Sequence, residues 1–201
     1  QPPREGNMGR FESNQATMAA GAGSPRPAGF TLLELVITVA VLAIALGIAI
    51  PSFQGITNRN RLSAITNEVV AAMQLTRMEA IRRNQRVVMC PSTNGTTCSG
   101  GNWMRMIVRE ADAAGEVIRE FQFTGRGLAI KSSSNVDDNN QIAFTSSGFA
   151  RVGGTTNAAG GLSVCSTAVP AVENTRDVMV AVSRISVVTR NGTAACTAAT
   201  D

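Results

Sequence analysis

Gly29-Phe30-Thr31-Leu32-Leu33-Glu34 opens an apolar run that continues through Leu35-Val36-Ile37 to Ile50. Of the 21 residues from Phe30 to Ile50, only Thr31, Glu34, Thr38 and Gly47 are not strongly apolar. A helix of that length is about 30 Å long at ~1.5 Å per residue, enough to cross the hydrocarbon of a bilayer once. Glu34 is the anomaly. An ionised carboxylate in a membrane-spanning segment costs roughly 2.5–3.5 kcal/mol on insertion scales and calls for a cationic partner. If the chain is cut after Gly29, Phe30 acquires a free α-amine that can answer Glu34 of the same chain or of a neighbour. A carboxylate in the first turn also complements the helix dipole. An ordinary secretory signal has a shorter apolar core with a small-residue cleavage site behind it. Ala43-Ile44-Ala45 imitates such a site but falls inside the run.

Gly29 followed by Phe-Thr-Leu-Leu-Glu-Leu-Val-Ile resembles the class III signal of type IV pilins and of the related type II secretion pseudopilins. The resemblance implies cleavage between Gly29 and Phe30 by prepilin peptidase, N-methylation of Phe30, and Glu34 as the assembly carboxylate. It also implies a single-pass protein of the inner membrane of a Gram-negative bacterium, its globular domain periplasmic, that passes into an extracellular pilus. Residues 1–29 read as the leader removed on processing. They are rich in Pro, Gly, Ser and Asn and have no apolar period. Met18 would give a leader of 12 residues ending at Gly29 and containing Arg26, so it is a candidate start.

Removing 29 of the 201 residues leaves 172, and removing the helix to Ile50 leaves 151, enough for one domain with a core of its own. The net charge of +4 comes from 17 Arg and one Lys against 14 acids, too small an excess to imply a polyanionic partner. The chain has no His, which excludes His-dependent hydrolase triads and His-ligated zinc. No residue set supports an enzyme, a metal site or a cofactor. Cys90, Cys98, Cys165 and Cys196 allow three disulfide connectivities in a translocated domain. Cys90–Cys98 and Cys165–Cys196 are preferred, because the first pair brackets a Pro/Asn/Gly turn and the second ties the tail to a nearby strand. A four-cysteine metal site is the alternative, weakened by the absence of a Cys-x-x-Cys knuckle.

Beyond the apolar run, Pro51 and Gly47 together weaken one helical turn, which predicts a kink or a melted turn there. The helix then resumes over residues 51–85. Leu62, Ile65, Val69, Ala72, Met73, Thr76 and Ala80 recur at threes and fours, while Arg59, Arg61, Glu68, Arg77, Arg82 and Arg83 lie mainly elsewhere. Residues 86–201 read as a β-rich globular domain. Candidate strands run over 86–90, 104–109, 117–123, 128–131, 141–144, 149–152, 161–165 and 178–189, the last with a break near Ser183. Turn chemistry separates them, including Ser132 to Asn140. The expected fold is α+β and type IV pilin-like: a long N-terminal helix, transmembrane in residues 30–50, packed through its second half on an antiparallel β-sheet domain.

The distal half is similar to the GspH/FimT group of minor pilins and pseudopilins. The likeness rests on Met73 to Arg86, Val87-Val88-Met89-Cys90-Pro91-Ser92, Trp103, Ile142-Ala143-Phe144 before Ser147-Gly148, and the arginine-bearing strand ending near Arg190. It implies a minor type IV pilin of the FimU kind that primes pilus assembly or sits at the tip. Its partners would be other minor and major pilins, prepilin peptidase and the inner membrane. Two alternatives stand beside it: a FimT-like pilin that captures DNA for uptake, and a GspH-like minor pseudopilin of type II secretion. DNA-binding relatives carry a Gly-Arg-x-Arg motif that this chain lacks. Arg151, Arg184 and Arg190 are the candidate DNA contacts here, with Arg82, Arg83 and Arg86 as further cations, against the plainer reading of solvated surface arginines. Trp103 reads as a core anchor, Asp137-Asp138-Asn139-Asn140 as a polar turn without the Gly and distant Glu of a calcium loop, and Glu68 and Glu79 as helix-surface charges paired with nearby Arg.

Overall fold

The computed structural model describes residues 29–201 other than 113, 114, 155 and 194; the side chains of 51 and 52 are also outside the description. The expected leader up to residue 28, with Met18, therefore lies outside the described residues. The chain divides into two compact units, Gln1–Ala43 and Ile44–Asp201.

The first unit holds the beginning of helix α1 (Leu32–Arg83). Every residue from Gly29 to Ile50 is exposed. The helix continues through Gly47 and Pro51 without interruption, so of the kink or melted turn expected there, the melted turn does not form. A proline removes one backbone bond, and a helix whose neighbouring turns are intact tolerates that loss, as membrane helices commonly do.

In the second unit, the distal part of α1 turns its apolar stripe inward. Leu62, Ile65, Val69, Ala72, Met73, Thr76 and Ala80 are all buried. The Thr76 hydroxyl donates to the Ala72 carbonyl at 2.7 Å, so this polar member of the stripe enters the core with its donor satisfied. α1 stops at Arg83, two residues before the expected boundary. Asn84 follows at φ +51°, and Gln85 N–H donates to the Ala80 carbonyl, a left-handed cap of the kind that closes helices.

Nine strands follow: β1 (Val87–Pro91), β2 (Arg105–Glu110), β3 (Val117–Gln122), β4 (Leu128–Ser132), β5 (Ile142–Phe144), β6 (Ala150–Val152), β7 (Ala159–Ser166), β8 (Thr175–Ala181) and β9 (Arg184–Arg190). They form two antiparallel sheets, in the orders β3-β2-β1-β5-β6 and β4-β7-β8-β9. Central β1 is buried at all five positions, which explains why Val-Val-Met-Cys-Pro shows an unbroken apolar run instead of alternation. The stripe of α1 shares one core with Val87, Met89, Trp103, Met106 and Phe144 from the region of the first sheet and with Ile130, Leu162, Val178 and Val180 from the second.

One local feature departs from the sequence reading, and another follows it. Residues 134–137 form a one-turn helix, α2 (Ser134–Asp137), held by the fully buried Val136, where the polar composition predicted a plain turn. The expected strand over 178–189 with its break near Ser183 is a hairpin, β8 and β9, whose last pair is Ala181 and Arg184. Its two-residue connection places Val182 at φ +52°. A non-glycine residue in that region costs of order 1–3 kcal/mol, and a β-branched one is a rare choice for it.

Candidate functional site

At the head of α1, Thr31 is the last residue before the helix and Glu34 the third within it. The Glu34 N–H donates to Thr31 Oγ1 at 3.1 Å, and the Leu35 N–H donates to the Thr31 carbonyl at 3.1 Å. This is the Thr-x-x-Glu spacing of a capping box, in which the hydroxyl satisfies one of the amide donors a helix start leaves open. The sequence reading gave Thr31 no role, although its spacing to Glu34 carried the signal. Among the described residues no cation forms an ion pair with Glu34. Phe30 precedes the cap and is 82% exposed. Gly29 and Phe30 thus stand just ahead of an apolar helix whose Glu34 carboxylate has no cationic partner among the described residues.

The candidate arginines do not act as one group. Arg190 is a fastener. Its Nε donates to Asp177 Oδ2 at 2.6 Å, and its Nη2 donates to Asp177 Oδ1 and to Ser163 Oγ. The same guanidinium reaches Thr197 and the carbonyls of Thr197 and Ala198. Ser163, Asp177, Thr175 and Cys165 are all buried. By the strand register their side chains share one side of the second sheet, since Ser163 pairs with Asp177 and Cys165 with Thr175. The tail after Gly192 crosses that side, bound by Arg190, by the Cys165–Cys196 disulfide, and by Asp201, whose Oδ2 accepts from Ser134 Oγ and the Asn135 N–H. Burial alone would raise the Asp201 carboxyl, but hydrogen bonds from Ser133, Ser134 and Asn135 hold it below its ordinary value. The Asp177 carboxylate likewise raises the Arg190 guanidinium.

Arg82 and Arg83 belong to a second network at the end of α1. Arg82 pairs with Glu79 at 2.6 Å, and Arg83 pairs with Glu79, Glu110 and Glu116 at 2.9, 2.6 and 3.2 Å. Hydrogen bonds from Arg82 first and Arg83 second lower the Glu79 pKa to about 2, and Arg83 also lowers that of Glu110. Arg86 Nη2 donates to the Gly154 carbonyl. The Arg184 side chain makes no hydrogen bond or ion pair among the described residues, and Arg184 sits six residues from Arg190 at the far end of β9, about 20 Å away at 3.3 Å per residue. Arg151 Nη1 donates only to the carbonyl of Ala150, and the Ala150 N–H donates to the carbonyl of Val182, so Arg151 and Arg184 share the neighbourhood of one hairpin tip.

Cys90 and Cys98 are joined, as are Cys165 and Cys196, with Cα separations of 5.5 and 5.8 Å. Trp103 is buried and its Nε1–H donates to Ser132 Oγ at 3.1 Å; Ser132 in turn donates to Asp137. Asp137 and Asn140 therefore order α2 and its exit. No group of His, Cys, Asp or Glu suited to a metal ion occurs among the described residues.

Residues 66–186 match the family described as Type II transport protein GspH, and residues 25–50 match the Prokaryotic N-terminal methylation motif. No curated protein matches the chain. A crystal structure of the type IV minor pilin FimU of Pseudomonas aeruginosa strain PAO1 superimposes with a TM-score of 0.50 at 19% identity, covering 65% of this chain and 90% of that one. A second crystal form of FimU gives 0.42 at 16% identity over the same shares. The first of these likenesses, with the long helix and antiparallel sheets, shows a type IV pilin-like α+β fold.

Proposed function

Because the chain belongs to the GspH family and carries the N-terminal methylation motif, we propose that it is a minor type IV pilin, processed between Gly29 and Phe30 and built into a pilus through the apolar half of α1. The observation that carries this reading is Glu34: a lone carboxylate, already placed by the Thr31 cap, on a helix whose every side chain through Ile50 is exposed. Such a helix is stable in lipid or in a bundle of like helices, and in water its apolar surface would drive aggregation. Cleavage after Gly29 leaves the Phe30 amine as the cation closest to the carboxylate. In a filament that amine answers Glu34 of a neighbouring subunit, and the partial positive end of the helix supports the carboxylate meanwhile. The subunit is held in the inner membrane by this helix with its globular part outside the cytoplasm, and it leaves lipid only when a bundle replaces it. Its direct partners are prepilin peptidase and other pilins. The role is structural, without chemistry of its own.

A place among the minor pseudopilins of type II secretion is the second reading, favoured by the description of the matching family. It uses the same helix and the same carboxylate. Capture of DNA draws less support, since Arg190 is occupied by Asp177 and the tail.

Replacing Glu34 by Ala tests the common core of both readings. The E34A protein should be cleaved and retained in the membrane but absent from sheared filaments. Incorporation equal to that of the unaltered chain would refute the assigned role.

A further inference from the structure

Two hairpin tips, one from each sheet, meet over the last turns of α1. The tip between β5 and β6 carries Gly148 and Phe149, and the tip between β8 and β9 carries Val182 and Ser183. Arg77 of α1 lies between them: its Nη1 donates to the Ser183 carbonyl at 2.7 Å, and its Nε is 3.2 Å from where a Cβ at Gly148 would stand. Ile81 Cδ1 is 3.0 Å from that same point, so Gly148, at φ +76°, is the residue that lets this tip lie against the helix. The Ala150 N–H donates to the Val182 carbonyl and locks the two tips together. Three apolar side chains emerge there half-exposed: Phe149 at 45%, Val182 at 48% and Ile81 at 51%. Arg77, Arg151 and Arg184 stand in the same neighbourhood, and none of them has a carboxylate partner among the described residues.

Val182 is the telling residue. Asn or Gly would hold its positive φ with less strain, and its side chain is half in water, so neither backbone conformation nor burial in this chain accounts for an apolar β-branched residue at that tip. We propose that the Phe149–Val182–Ile81 surface, rimmed by Arg77, Arg151 and Arg184, docks a neighbouring pilin subunit through an apolar patch bordered by carboxylates. Contact would bury the three apolar side chains and give the guanidinium groups the acids they lack here. A protein partner fits better than nucleic acid because two of the three apolar groups are aliphatic and offer no face for base stacking. The inference rests on the reading of the chain as a filament subunit and adds a second contact, on the globular unit, to the one made by α1.

The test compares full-length E34A, V182N and R77E/R184E proteins in the assembling host, with sheared filaments blotted for the chain and the purified globular units melted in parallel. V182N should melt at or above the temperature of the unaltered protein, because Asn tolerates positive φ, yet should be incorporated at least tenfold less. R77E/R184E should be cleaved normally and incorporated at least tenfold less. Unchanged incorporation of both variants, with E34A excluded, would overturn the docking surface and leave the helix reading intact; normal incorporation of E34A would instead sink the helix reading itself. Salt-sensitive binding of the globular unit to double-stranded DNA that R77E/R184E abolishes, with incorporation unaffected, would assign the surface to nucleic acid and also refute the proposal.

Discussion

Replacing Arg190 by Ala removes the fastener that joins β9, β8, β7 and the tail. Removing one partner of a buried ion pair costs about 3–5 kcal/mol when both are fully enclosed. Here the Asp177 side chain is 8% exposed but that of Arg190 is 31% exposed, so solvent recovers part of the loss. Ser163 Oγ donates to Asp177 Oδ1 at 2.5 Å, a bond the substitution does not remove, which keeps that carboxylate from being wholly orphaned. Against this, the carbonyls of Thr197 and Ala198 lose their donor, at about 1 kcal/mol for each bond not replaced by water. The balance is a destabilisation of about 2–4 kcal/mol. For a unit of this size 1 kcal/mol moves the melting temperature by about 2–4 °C, so a fall of roughly 4–16 °C is expected. Urea unfolding of oxidised residues 58–201, followed by far-ultraviolet circular dichroism, reads the change as a lower midpoint with an unaltered slope. Arg184→Ala is the internal comparison and should shift stability by less than about 0.5 kcal/mol, as exposed sites without partners do. An R190A loss below about 1 kcal/mol, or one equal to that of R184A, would refute the fastener role.

The two disulfides should differ in weight. On the loop-entropy account, opening the Cys165–Cys196 bridge, which closes 31 residues, costs about 4 kcal/mol, and opening Cys90–Cys98, which closes 8, costs about 2.5. Paired Cys→Ala variants in urea check the order, and equal losses would show that tail docking rather than chain closure sets the cost. Glu79 supplies a pH dependence. Its pKa lies at about 2 against an ordinary 4.5, so its contribution is complete above about 4.5 and is lost as the pH falls from there toward 2. Glu79→Gln should be less stable at neutral pH and should show a shallower acid decline over that interval, measured by urea midpoints; parallel profiles would remove Glu79 from the account.

The stripe and the strands were legible because each is local. Leu62 to Ala80 repeat at the helical period, so short-range pattern sufficed to place the buried face of α1, and the Thr31–Glu34 cap, three residues apart, was equally local although it went unread. The strands could be read within a residue or two at most ends for the same reason, with Gly, Asn and Pro between them. Residues 133–140 resisted because one buried Val136 amid seven polar or charged neighbours decides that α2 exists, and burial is a property of the surroundings. The division into two sheets, and which strand lies beside which, depended on contacts between distant segments that no spacing encodes.

The arginines mark the boundary most clearly. From the chain alone Arg151, Arg184 and Arg190 were equivalent, each a strand cation near turn residues. Only the register that sets Ser163 against Asp177, and Asp177 opposite Val188 two residues along β9 from Arg190, makes one of them an internal fastener while the Arg184 side chain has no partner among the described residues. Composition and local period thus determine what each segment can be. What a charged side chain does is decided by the groups that folding brings within about 3 Å of it, because a charge is satisfied or left open by its neighbours in space and not by its neighbours in sequence.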